Sequence, residues 1–462
     1  VNAQGLAWGW LNAFSARPFA LLETPNDKKR LTLLAGEPLF VLEGRGAKTT
    51  VLAGGKRHRS RKAPEAAFAA LGDALARRHG GAAWWPLIHA LGYEAGRRFE
   101  RLPAPKPEPL GLPDWWAFLP GAWLRWDGRW KAEAQDLRPD LARAIAGALG
   151  ISAGALRLPA LAAERRAVLR RLLALKPHAA APGFAGGPRQ RVRSNLGRAG
   201  FQVRVRRAQA HIRAGDIYQA NLSHRLSAPV AARPFQVYRR LMAVNAAPMA
   251  AYVDLGALQL LSASPERFIR IQGRQVETWP IAGTAPRRGR AGEAAALRRS
   301  QKDSAEHVML VDLERNDLGR VCVGGSVKVP RFRTVQSFAH VHHLVSQVTG
   351  TLKPGVALPQ VYAAAFPGGS ITGAPKIRCM QVITDLEREA RGWYTGCLGW
   401  WDPKAGQADS NLLIRSIFMK DGRAYWQVGA GVVADSLPAK EWAETLAKAK
   451  GLERALFWSQ RG

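Results

Sequence analysis

Between residues 250 and 279 the chain writes four short runs that alternate apolar and polar residues, broken only by tight turns. The runs are Ala250 to Leu255, Leu258 to Ser262, Phe268 to Gln272 and Gln275 to Trp279, with one turn centred on Gly273. Period-two alternation predicts strands with one face in a core. Connections this short suit antiparallel neighbours, because a parallel crossover needs a dozen residues or more. Leu344 to Leu352, Gly396 to Trp401, Leu412 to Lys420 and Ala424 to Val428 read the same way, with Asp402 to Gly406 as a turn. Helical periodicity sits apart from these runs, in Phe201 to Arg213, Asp303 to Leu313, Ala374 to Arg391 (Pro375 in its first turn) and Ala439 to Arg454. Strands in runs and helices set apart predict an α+β fold rather than an alternating parallel one.

The texture differs before residue 190. Phe19 to Leu22 and Leu31 to Leu34 read as strands, and Ala66 to Arg78 and Glu164 to Leu175 as helices. Pro103 to Pro113 is too rich in proline for regular structure. Pro177 to Pro188, full of Ala, Gly and Pro, reads as a linker. Two regions are therefore expected, 1–190 and 191–462. The second carries the chemistry.

Charge narrows the class of function less than its size suggests. The formal net charge is +33, from 68 Lys+Arg against 35 Asp+Glu. Arginines spread among Ala, Gly and Leu, without zinc-finger spacing or an RNA-recognition aromatic motif, read as solvated faces that attract a small dianion rather than as a nucleic-acid groove. Only three cysteines occur, Cys322, Cys379 and Cys397. A sparse, odd count suits a reducing cytoplasm. No run of about eighteen apolar residues is present, so no membrane span is expected. No basic region followed by an apolar stretch opens the chain, so a secretory leader is not expected.

Against this positive background two acidic blocks stand out. Asp303 and Glu306, and Glu441 and Glu444, are carboxylate pairs at i and i+3, so each pair shares one helix face. Four carboxylates meeting at one hard divalent cation would explain the grouping, and Mg2+ takes one or two carboxylates plus waters and substrate oxygens. Either pair alone reads more readily as a solvated face.

The residues around these blocks carry a resemblance. GDIYQANLS (215–223), SASPERF (262–268), PIAGT (280–284), KDSAEHVMLVDLERNDLGRV (302–321), VHHLVS (341–346), FPGGSITGAPK (366–376), NLLIRS (411–416) and GAGVVADS (429–436) follow one another in the order found in the chorismate-utilising enzymes. LLET (21–24) and GYEAGRRFERLP (92–103) match more weakly. The resemblance implies an α+β unit of two antiparallel sheets packed face to face with helices on the outer faces. It also implies Mg2+ on the ring carboxylate of chorismate, with Glu306 and Glu444 as ligands and Asp303 and Glu441 close by. Arg415, helped by Tyr394, would hold the enolpyruvyl carboxylate, and Gly429, Ala430 and Gly431 would let backbone N–H groups approach. Lys376 and Thr284 would be further polar contacts. His343 would serve as general acid at the departing ring hydroxyl, or orient it, and Glu266 would be an acid/base at the reacting face.

Within the family, FPGGSITGAPK, YQANLS, the Lys302-Asp303 pair, the Gly-Trp-Trp-Asp turn at 399–402 and GYEAGRRFERLP look like the aminodeoxychorismate synthases. Ala282 departs from them, since many carry a nucleophilic lysine there, whereas anthranilate synthases carry alanine. Several segments outweigh one position, so component I of aminodeoxychorismate synthase is the expected activity and component I of anthranilate synthase the alternative. A basic nucleic-acid-binding or scaffold protein on an inactive fold is the remote third. The resemblance further implies ammonia from a separate glutamine amidotransferase subunit, since no cysteine sits in a Gly-x-Cys-x-Gly elbow. Leu21 to Thr24 with Asn245 to Met249 resemble the segments that line a tryptophan pocket, or else core packing.

Overall fold

The computed structural model describes residues 3–24, 31–79, 83–174, 190–287, 292–337 and 341–457. The expected linker Pro177 to Pro188 and the Lys302 side chain lie outside the described residues. The alternating runs form antiparallel strands, Met249–Asp254, Leu258–Ser264, Arg267–Gln272 and Gln275–Thr278. Met249–Asp254 pairs with Leu258–Ser264, and Arg267–Gln272 pairs with Gln275–Thr278 across a two-residue loop at Gly273. Gly273 has φ of 61°, a turn conformation that glycine adopts without a Cβ penalty.

Among the described residues, 21 strands join into one antiparallel network. The network turns corners inside its longest strand. Thr32–Arg45 pairs with Phe19–Glu23 near its start and with Lys48–Ala53 near its end, and Trp115–Trp126 runs beside most of it. Its register shifts between Pro38 and Phe40, next to Glu37 at φ 51°. Such an irregularity bends a strand from one part of a sheet to another.

Successive side chains of one strand enter two different cores. From Phe19–Glu23, Ala20 joins one cluster while Phe19 and Leu21 join the other. From Ser416–Lys420, Phe418 joins the first while Ile417 and Met419 join the second. The first cluster gathers Leu42, Ile88, Phe118, Ile269 and Leu398 from strands throughout the chain. The second is covered by helices, which contribute Trp10, Leu169, Tyr238, Leu241 and Leu452. An inner core with helices outside is the layering the resemblance implied, and each buried Leu or Phe adds about 1.5–3 kcal/mol. Strands from both sides of residue 190 pair directly, Phe19–Glu23 with Met249–Asp254 and Leu87–Leu91 with Cys397–Asp402.

Three expected elements differ. The run Leu412 to Lys420 is not one strand. It breaks into Gln407–Leu412 and Ser416–Lys420, with Arg415 between them in the left-handed region at φ 54°. The helix expected to reach Arg391 is Lys376–Leu386. It ends where the backbone becomes extended at Glu387 (ψ 148°), whose carboxylate accepts from Ser223 N and Oγ at 2.8 and 2.7 Å and pairs with Arg391 at 2.7 Å. The helix expected over Asp303 to Leu313 is longer, Gln301–Gly319, and is capped by Ser300, whose side chain accepts from Asp303 N. None of the described helices is long and apolar enough to cross a membrane.

Candidate active site

Helix Gln301–Gly319 and the strand pair Gln219–Pro229 with Arg423–Val432 build the acidic part of the site. Glu306 leaves the helix toward the strands, where its Oε1 accepts from Gln219 Nε2 at 2.8 Å. Gly431, opposite Asn221 in the ladder, leaves the room for this. A Cβ there would stand 2.6 Å from Gln219 Nε2 and 3.4 Å from Glu306 Oε1. Burial raises the Glu306 pKa; the Gln219 hydrogen bond and Lys448 lower it, and the charges of Asp303 and Glu444 raise it again. Asp303 and Glu306, neighbours on one helix, therefore feel Glu444, which is distant in sequence. Lys448 Nζ sits 2.8 Å from Glu444 Oε1 and donates to Gly429 O at 2.9 Å.

Hard oxygen donors under mutual repulsion fit a dication such as Mg2+, with Glu306 and Glu444 able to hold it. Among the described residues no three acidic, histidine or cysteine groups already form a closed ligand set. The remaining ligands would come from water and substrate. Glu441 is buried and accepts from Ser436 Oγ at 2.8 Å.

Arg415, His343 and Tyr394 form the second part. The backbone strain at Arg415 is of the kind that costs about 1–3 kcal/mol and persists where a site demands it. Thr395, next to Tyr394, is also left-handed at φ 61°. Arg415 Nη1 donates to Lys448 O at 3.1 Å, which fixes the plane of the guanidinium. Burial pulls the Arg415 pKa down, and Tyr394 and Glu444 push it back up. Burial drives the Tyr394 pKa far upward, so its hydroxyl stays protonated. That hydroxyl lies 3.0 Å from where a Gly429 Cβ would be, so glycine is required at this close approach. Ala430, between the two glycines, is buried opposite Leu222.

Thr284 and His343 are register partners, and Thr284 Oγ1 lies 2.9 Å from His343 Nδ1. Burial, then the charges of Arg415, His342 and Lys448, lowers the His343 pKa to about 4. A neutral imidazole at physiological pH orients a hydroxyl better than it protonates one.

Glu266 is buried in the turn between Leu258–Ser264 and Arg267–Gln272. Its Oε1 accepts from Ser370 Oγ at 2.7 Å and from Ile281 N at 3.4 Å. Burial raises its pKa to about 8, with the Ser370 hydrogen bond lowering it and the Glu314 charge raising it. Near neutrality this side chain carries a proton it can give away. The same loop positions Lys376 differently from expectation. Its Nζ is held by Asp317 Oδ2 at 2.6 Å and Ala365 O at 2.7 Å, so it anchors the loop to the helix. Ala282 is buried, and its carbonyl accepts from His307 Nδ1 at 3.1 Å.

A cavity of about 550 Å³ reaches His343 and Arg415 between residues 244–248 and the last turns of helix Pro438–Leu456. Asn245 to Pro248 line this cavity rather than a pocket with Leu22 to Thr24. Leu22, Glu23, Thr24 and Met249 surround a separate space of about 20 Å³. That leaves room for about one water between the packed side chains. Titration with tryptophan to millimolar concentration is expected to give no saturable heat; a saturable heat would mean that this packing opens.

Sequence reasoning missed Gln219, Ser370, Lys448 and Glu314. Lys448 had a signal, since it follows Glu444 by four residues. Gln219 and Ser370 lay inside quoted segments, but nothing local distinguished them from ordinary polar residues.

Comparison with known proteins places this geometry. The family model described as chorismate binding enzyme matches residues 17–454. The chain is 40% identical over 378 residues to anthranilate synthase component 1 of Thermus thermophilus, covering 80% of this chain and 77% of that protein. It is 44% identical over 266 residues to aminodeoxychorismate synthase component 1 of Bacillus subtilis, covering 56% of each. Among solved structures, anthranilate synthase component I from Streptococcus pneumoniae superposes with a TM-score of 0.77 at 28% identity, covering 93% of both chains. The menaquinone-specific isochorismate synthase of Escherichia coli, at 16% identity, covering 99% of this chain and 91% of that one, shares the fold with a TM-score of 0.69.

Proposed function

The chain belongs to the chorismate-binding enzyme family, and from that membership we propose that it aminates chorismate as component I of an aminodeoxychorismate synthase. The observation that carries the amination is Glu266, a buried carboxyl whose pKa of about 8 keeps its proton at neutral pH. It would protonate the ring hydroxyl at C4 as that hydroxyl leaves as water. His343, neutral and held by Thr284, would orient the hydroxyl. Arg415 would hold the enolpyruvyl carboxylate with a planar fork, backed by Tyr394. Bound at Glu306 and Glu444, Mg2+ would offset the charge of the ring carboxylate.

The choice of branch rests on the segments that support the acid and the acidic group. Ser370, in the aminodeoxychorismate-like loop, holds Glu266, and Gln219, in the aminodeoxychorismate-like strand, holds Glu306. With a methyl group at Ala282, no lysine adduct forms at C2. Water adding at C2 as the C4 hydroxyl leaves, then ammonia adding at C4 as the C2 hydroxyl leaves, reaches the same product. The net change is chorismate plus ammonia to aminodeoxychorismate plus water. Ammonia would come from a separate glutaminase subunit.

A second reading is favoured by Ala282 itself and by the longer match to anthranilate synthase. There ammonia adds at C2 as the C4 hydroxyl leaves as water, and the enolpyruvyl group is then lost as pyruvate with the C2 proton. Purified protein with chorismate, Mg2+ and an ammonium salt is expected to yield a product that an added aminodeoxychorismate lyase converts to p-aminobenzoate. Anthranilate formed without the lyase would establish the second reading instead. Absence of any chorismate turnover would reject both.

A further inference from the structure

Helix Gln301–Gly319 carries Glu306 toward its N-terminal end and a second set of buried acids toward its other end. Glu314 is only 3% exposed. Its Oε1 accepts from the Gly369 amide at 3.1 Å. Gly369 lies directly on the helix, since a Cβ there would come within 2.7 Å of Leu313 Cδ2. The next residue, Ser370, donates to Glu266 Oε1 at 2.7 Å. Three positions further along the helix, Asp317 holds Lys376 at 2.6 Å. Residues 366–376 are thus fastened to one helix at two points, with Ser370 between them.

We propose that Glu314 is a positioning residue for the reaction: it fixes the Gly369 amide so that the Ser370 hydroxyl meets Glu266, and its buried charge keeps the Glu266 proton in place until the substrate hydroxyl takes it. This rests on Glu266 being the acid of the proposed amination. The groups facing Glu266 are the Ser370 hydroxyl, the Ile281 amide and Glu314. Those facing Glu314 are Asp317, Lys376, the Gly369 amide and the Thr278 hydroxyl. Burial, then the Asp317 charge, raises the Glu314 pKa, and Lys376 lowers it. Glu314 and Asp317 therefore titrate together as a pair, and the charge on Glu314 acts on Glu266.

Signs follow from these contacts. Glu314→Gln still accepts from the Gly369 amide but removes the like charge, so Glu266 loses its proton at lower pH. The alkaline limb of kcat/KM is expected to move down by about one pH unit, the size of effect a neighbouring charge has. Ser370→Ala removes a hydrogen bond that favours ionised Glu266, so it moves the limb up. Glu314→Asp keeps the charge but withdraws from Gly369, so kcat falls several-fold and the limb moves up, as in Ser370→Ala. A merely structural Glu314 would lower the melting temperature and leave the limb in place.

If Glu314→Gln folds and its limb coincides with wild type, the proposal is overturned. If that variant does not fold, Glu314→Asp decides, and an unchanged kcat overturns it. A wild-type profile with no alkaline limb, or full activity in Glu266→Gln, would instead reject Glu266 as the acid. The two failures are thereby told apart.

Discussion

Glu266→Gln lowers kcat by about 10²- to 10⁴-fold, the range that a positioned general acid supplies. The amide is nearly isosteric and still meets Ser370, so the fold and the Arg415 contact survive and KM for chorismate changes little. The pH profile gives the sign. Glu266 acts while protonated, and its pKa stands near 8. Wild-type kcat/KM is therefore flat toward neutrality and falls about tenfold per pH unit well above 8, as the acid form disappears. An unperturbed glutamate, near 4.3, would already have lost its proton at pH 7. The difference comes from burial, which penalises the ionised form. A variant within a few-fold of wild type would remove Glu266 from the chemistry.

The second large effect falls on the metal requirement. Glu306→Gln and Glu444→Gln are each expected to weaken Mg2+ affinity at least on the order of 100-fold, since even residues behind the direct ligands of a metal are worth 10- to 100-fold. Direct Mn2+ titration would read this without turnover. Stability should move the other way for Glu306. Its charge is buried beside Asp303 and Glu444. Removing it relieves desolvation and repulsion, so the melting temperature of Glu306→Gln should equal or exceed that of wild type. Glu444→Gln should be close to neutral, because its side chain is 51% exposed and an exposed pair with Lys448 contributes little. Variants that keep full Mg2+ affinity would show that these carboxylates do not hold the ion. Gain of stability with loss of metal is the signature of charge placed for function rather than for folding.

Particular residues show how far local reasoning reached. The strands at 249–278 were readable because their alternation is a property of neighbours in sequence. The i,i+3 spacing placed Asp303 with Glu306 on one helix face, and motif order singled out Glu266, His343 and Arg415. Lys376 was misplaced as a substrate contact, because its partner Asp317 is 59 residues away and only the fold brings them together. Glu441 was grouped with the other acids by spacing, but its bond to Ser436 came only with the fold. The run through Leu412 to Lys420 looked continuous, since a left-handed arginine leaves no trace in an apolar pattern.

By itself, then, the chain's order of residues determined the α+β class, the antiparallel pairing of short strands, and which acids, bases and glycines were available. Those follow from period and turn chemistry, which act over a few positions. The tertiary structure alone decided that Glu266 keeps a proton while His343 does not, that Lys448 rather than Lys376 reaches the acidic group, and that Glu314 stands behind Ser370. Each of these depends on desolvation and on charges a few ångströms away, supplied by elements tens to hundreds of residues distant, and no local pattern encodes which of them will pack together.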